Sequence, residues 1–258
     1  MKILVILSLM VLVSCSPTEV PSEKLVERGG ITYLINSQTP FSGRSVSYYE
    51  NGEVVFKSNY GDGKLDGLSE TYYESGQLWI KGNYKDGKED GLEEWYYENG
   101  QLEFKINYKD GKENGLWEWY DENGQLKSRG VYKDGQRDGL RERYHENGQL
   151  ASKANYKHGK QDGLEESYFK NGQLKSRKNH KDGRNHGLQE SYYENGNLWE
   201  KANYKDGERD GLWEQYYENG QLEAAGNYID GKREGSWTGY NENGEKRSKS
   251  NFKDGKLL

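Results

Sequence analysis

The chain has 258 residues, 43 acidic and 37 basic side chains for a net charge of -6, 31% hydrophobic residues and a mean hydropathy of -1.21. So little apolar material excludes a thick globular core, and charge spread evenly with no basic stripe argues against a nucleic-acid partner. Low hydrophobicity can mean disorder, but here 13% of residues are aromatic and recur in strict register, which predicts order without a deep interior.

In chain order, residues 1–14 read as a signal peptide: Lys2, then a short apolar run from Ile3 to Val13. The run is too short to span a bilayer as a mature helix. It ends in Leu12-Val13-Ser14-Cys15, which resembles a bacterial lipobox, and Cys15 is the only cysteine in the chain. The expectation is a lipidated Cys15, a multi-acyl membrane anchor and a place in the bacterial cell envelope, at the outer membrane in a Gram-negative cell. Residues 15–30, with Pro17, Pro21 and Gly29-Gly30, predict a flexible tether. Ile31 to Ile35 predicts a capping strand, with the loop 36–42 after it.

Residues 43–258 are nine consecutive units of 24 residues with no insertion or deletion. A fixed period marks a repeat architecture. A representative unit is Gly91 to Asn114, GLEEWYYENGQLEFKINYKDGKEN. Its two turn signals, Glu98-Asn99-Gly100 and Lys109-Asp110-Gly111, separate strand-length runs of Tyr, Trp and Leu. The fold class is therefore all-β: an elongated, single-layer antiparallel meander of hairpins, roughly 18 strands from the repeats. A three-residue first loop, pairing Tyr97 with Gln101, sorts the apolar residues best. It predicts one face of Leu92, Tyr96, Leu102, Phe104 and Tyr108. It sends all seven tryptophans to the other, beside Tyr97 and with charged neighbours such as Lys105.

The unit resembles the bacterial variant of the MORN repeat, on Gly115, Trp117, Tyr120, Asn123, Gly124 and Leu126, then Tyr132, Asp134, Gly135 and Gly139. It is similar to proteins labelled YwqK-family antitoxins. The resemblance implies a twisted sheet of hairpins used for protein or membrane contact.

Sites for chemistry are few. His145, His158, His180 and His186 are isolated departures from repeat positions, and metal binding needs convergent ligands. A row of glutamates (Glu70, Glu94, Glu118, Glu142, Glu166, Glu190, Glu214) recurs about 9.6 Å apart, too far for two to share a cation and best read as pairing with neighbouring strands. Asp86, Asp110 and Asp134 fit turn chemistry better than a calcium loop. No nucleophile elbow or phosphate-binding loop occurs, so no enzyme, catalytic residue, cofactor or metal is expected. The candidate binding face is Trp79, Trp95, Trp117, Trp119, Trp199, Trp213 and Trp237 with Tyr73, Tyr97, Tyr193 and Tyr217. The expected function is a lipid-anchored scaffold for unidentified protein partners. The alternatives are a cell-wall or glycan binder and an antitoxin- or immunity-type partner.

Overall fold

The computed structural model describes residues 19–258. The expected signal peptide and Cys15 lie outside the described residues. Within them, 23 strands form one sheet in which successive long strands of the repeats pair antiparallel with their chain neighbours. The exception is the first, Glu19–Pro21, which adds parallel to Gly43–Tyr48.

The turns follow from local chemistry. In the unit from Gly91, Tyr97 N donates to Gln101 O and Gly100 N donates to Tyr97 O, both at 2.9 Å, with Gly100 at φ +82°. This is the three-residue loop the sequence predicts. The second turn joins Leu102–Lys109 to Lys112–Tyr120, with Lys109 opposite Lys112. Asp110 (φ 51°) and Gly111 (φ 79°) make it a two-residue loop with both central residues left-handed, the geometry that suits the twist of the flanking strands. All nine units repeat it, with His158 once in the Asp position.

Two bulges set the faces. Tyr96 lies opposite Leu102 but Trp95 lies opposite Phe104, so Glu103 is unpaired. One unpaired residue reverses the alternation beyond it. Phe104 and Tyr108 therefore join the tryptophans, and Lys105 leaves them, each contrary to the sequence expectation. The second bulge keeps parity. Ile106 lies opposite Trp117 and Tyr108 opposite Glu113, so Asn114–Leu116 face Asn107 alone. Gly115, at φ +121°, makes that detour, and the Asn side chain closes it by donating to a leucine carbonyl, as Asn59 does to Leu68 O at 2.7 Å.

The described residues begin inside the stretch expected as a tether. Val20, in the first strand and opposite Ser45, is buried, and Phe41 is buried as well. Leu25–Arg28 and Ile31–Leu34 form a separate hairpin. The second of these was expected to cap the sheet; it instead braces the first Asp-Gly turn, Thr32 N donating to Gly63 O at 2.8 Å. The strand that caps the sheet by pairing is Glu19–Pro21.

Candidate functional site: the aromatic face

The two faces of the sheet differ in what they repeat. One carries Leu92, Glu94, Tyr96, Leu102 and Lys105 and their equivalents. Here the glutamate row alternates with basic residues from the intervening strands, each directly opposite the next, from Lys57 through Glu94, Lys105, Glu118 and Arg129 to Lys201 and Glu214. Lys81–Glu94 (3.2 Å), Lys153–Glu166 (2.7 Å) and Arg177–Glu166 (3.2 Å) are ion pairs, as are Lys105–Glu118 and Arg129–Glu142. Tyr120 and Tyr168 donate to Glu118 and Glu166 at 2.9 Å. Lys153 holds the Glu166 carboxyl below the usual range, against the opposing effect of burial. The glutamates are thus ladder rungs, as pairing with neighbouring strands predicts. The leucines beside them are open: Leu116 is 43% exposed.

The other face holds every tryptophan, now joined by Phe104 and the Tyr108 row. Ring contacts run along it: Trp79–Trp95 at 6.1 Å, Phe104–Trp117 at 6.2 Å, Trp117–Tyr132 at 6.3 Å and Trp237–Phe252 at 6.2 Å. In its central row several large residues face small ones. Trp117 lies opposite Gly130, Arg141 opposite Ala154, and Trp213 opposite Gly226 and Ala202. Trp213 and Trp237, two strands apart, stack at 5.2 Å, well inside the about 9.6 Å of a flat sheet. The side chains of this face lean together over small residues. It is recessed, while the leucines opposite stand out.

This geometry divides the expected binding residues. Trp117, Trp213 and Trp237 are buried and build the face, whereas Trp79, Trp119 and Trp199 are 36%, 45% and 43% exposed and Trp95 is half-buried. The four tyrosines have work inside the fold. Tyr73, Tyr97, Tyr193 and Tyr217 each donate to the carbonyl of the tyrosine 23 residues on, at 2.8–2.9 Å, tying one unit to the next. His145 makes the same link with Nε2, 3.0 Å from Tyr168 O. His180 contacts Glu165 at 2.7 Å, and among the described residues no three His, Cys, Asp or Glu side chains group as a metal site.

One feature of this face had no counterpart in the sequence reading. From the fourth unit to the eighth, its central position is Trp117, Arg141, Glu165, Gln189 and Trp213, while the ladder position is Glu118, Glu142, Glu166, Glu190 and Glu214. Over these five units the ladder position is constant, while the aromatic position takes four residue types. Its signal in the sequence is the change of residue type at one repeat position, Trp117, Arg141, Glu165 and Gln189, beside the constant glutamate that follows it.

Comparison with known proteins agrees with the period. The family model for the MORN repeat variant matches nine times, over residues 42–62, 65–86, 89–110, 113–134, 137–158, 161–182, 185–206, 209–230 and 233–254. No curated protein matches. Among solved structures, the crystal structures of TcdB2-TccC3-Cdc42 and of TcdB2-TccC3 are each 12% identical over 85% of this chain, with a TM-score of 0.21, and this chain spans 14% of theirs. Proteins built from these repeats generally bind membranes or other proteins and are typically not enzymes. With its nine matched repeats spread from residue 42 to residue 254, the chain belongs to the MORN repeat variant family.

Proposed function

We propose that this protein is a non-enzymatic, lipid-anchored scaffold of the bacterial envelope, which presents its aromatic face to a protein partner. The observation that carries the reading is the contrast between faces. The ladder face repeats nearly unchanged because the fold needs it. The aromatic face changes residue type from unit to unit, Trp117 to Arg141 to Glu165 to Gln189, with the fold intact. Exposed rings beside arginines are also the residue types that dominate protein interfaces. The membrane anchor rests on the Cys15 motif.

A photo-crosslinking amino acid placed at Trp119 or Ser176 on the aromatic face, and at Leu116 or Leu140 on the ladder face, tests this in cell membranes. Adducts from the aromatic face are expected; adducts confined to the leucine positions would overturn the assignment. The exposure of Trp119 and Trp199 favours sugar stacking as a second reading. Retention on peptidoglycan, lost in Trp119→Ala, would select it.

A further inference from the structure

Where the fourth unit meets the fifth, the aromatic face carries three arginines, Arg137, Arg141 and Arg143, at positions where the adjacent units have Glu113 or Gln161, Trp117 or Glu165, and Trp119 or Ser167. Arg141 and Arg143 line a cavity of about 240 Å³ with Ser152, Tyr156, Gln161 and Glu165. Arg141 lies between rings, its guanidinium 5.9 Å from the Trp117 ring, and Arg137 sits 5.8 Å from that of Tyr156. The Arg141 Nε is buried with no hydrogen-bond partner. Burial, with Arg143 and Arg137 close by, lowers its proton affinity against a bond to Tyr156.

Two acids of this face, Glu165 and Glu200, are already engaged. Glu165 contacts His180 at 2.7 Å and accepts from Gln161 at 3.3 Å, and Glu200 takes Arg209 through both oxygens at 3.0 Å. Among the described residues none of the three arginines has a carboxylate within ion-pair distance, whereas Arg129 and Arg177, on the ladder face, both do. Burying an arginine without a counter-ion is costly. A fold that has a tryptophan or a serine at the same position in other units has no structural need of that cost.

We propose that Arg141 and Arg143, with Arg137, form a binding site for an oxyanion side chain, a carboxylate or phosphate, carried on an extended segment of a protein partner. The guanidinium fork matches both groups through paired hydrogen bonds. The cavity has room for one such group. Its recess, walled by Tyr156 and Gln161, admits a side chain and not a flat bilayer surface, and the exposed Trp119 lies on the same face. The proposal rests on the scaffold reading and makes it specific.

The test is fluorescence anisotropy of labelled octaglutamate and of a phosphoserine octapeptide against the full-length protein at low salt. Octalysine and anionic phospholipid vesicles serve as comparisons. Binding of either anionic peptide is expected, weakened at least about tenfold in the double variant Arg141→Gln/Arg143→Gln and unchanged in Lys201→Gln on the ladder face. Arg143→Gln alone, at an exposed position, gives the same direction if the double variant fails to fold. Tighter binding of the phosphoserine peptide, with the same arginine dependence, identifies the oxyanion as phosphate. Equal affinity in the arginine variants, equal binding of octalysine, binding to vesicles only, or no peptide binding up to about 1 mM would overturn the site. Crosslinking from Trp119 would still succeed in that case, leaving the scaffold reading intact.

Discussion

Gly226 and Gly82 occupy the same repeat position, and the substitution of each by alanine tests how the aromatic face is packed. Neither has a positive φ, so backbone strain is absent from both. What differs is the neighbour. A Cβ on Gly226 would lie 2.2 Å from two atoms of the Trp237 ring, while a Cβ on Gly82 would lie 3.2 Å from a Glu93 carboxylate oxygen. Trp237 cannot swing aside freely. It is 7% exposed and held by Trp213 at 5.2 Å and Tyr228 at 5.1 Å. Overpacking of this kind costs about 1–3 kcal/mol, offset by about 0.4–1 kcal/mol from the stiffer unfolded chain. Gly226→Ala should therefore lose about 1–2 kcal/mol, and Gly82→Ala should fall within about 0.5 kcal/mol of neutral. Trp237→Ser should cost about 3–5 kcal/mol. The double variant Gly226→Ala/Trp237→Ser should be no worse than Trp237→Ser alone, because the clash is gone. Urea unfolding by circular dichroism gives the totals, and native-state hydrogen exchange of strands Leu222–Ile229 and Lys232–Tyr240 gives the local change. Equal effects of the two glycine substitutions, or no coupling between Gly226 and Trp237, would refute the large-over-small packing of this face.

The ladder predicts acid sensitivity. Glu166 has its proton affinity lowered in the folded state, mainly by Lys153, so its contribution is present above the ordinary carboxylate pKa of about 4.3 and is lost as pH falls from there through the lower folded value. Glu166→Gln should be less stable than the parent at pH 7, with the gap closing by about pH 3 in urea titrations. Glu93 has the opposite sign. Burial raises its pKa, so its favourable contribution is complete below the ordinary value and disappears as pH rises through the folded one. Glu93→Gln should be neutral or stabilising at pH 7 and lose that advantage near pH 4. Tyr97→Phe removes one link between units, the 2.9 Å bond to Tyr120 O, and should cost about 0.5–1.5 kcal/mol by the same unfolding assay, with the fold retained, since Phe169 already stands at that position. Deleting Gly91–Asn114 should shorten the particle by two strands, about 9.6 Å, in small-angle scattering without cooperative loss of structure.

Much of the fold was legible because turn chemistry is local. Asn99-Gly100 and Asp110-Gly111 announce their loops by the backbone angles only such residues adopt readily, and the Tyr97–Gln101 pairing followed from sorting leucines against tryptophans. The faces were misassigned beyond Glu103 for an equally local reason. A bulged residue carries no composition of its own; at that position Glu103, Trp79 and Trp199 all serve. The alternation that is correct before it is reversed after it, so Phe104 and Lys105 exchanged sides. The lower bulge left a clue in Gly115, but a clue to the detour and not to its parity.

The candidate site was illegible for a different reason. Nine near-identical units argue against any single unusual locus when they are averaged, and averaging is how a repeat is first recognised. The physical information lies in the residual. Where seven of the nine units keep a glutamate facing a cation, as Glu118 faces Lys105 and Arg129, the side chain is answering its neighbours in the sheet. Where Trp117 becomes Arg141 across two strands, the sheet has not changed and the neighbours do not ask for the charge. A half-buried guanidinium with no acid within ion-pair distance is stable only at the expense of the rest of the fold, or in company the chain does not itself provide. Recognition by this surface therefore centres on Arg141 and Arg143, and not on the tryptophans as a set.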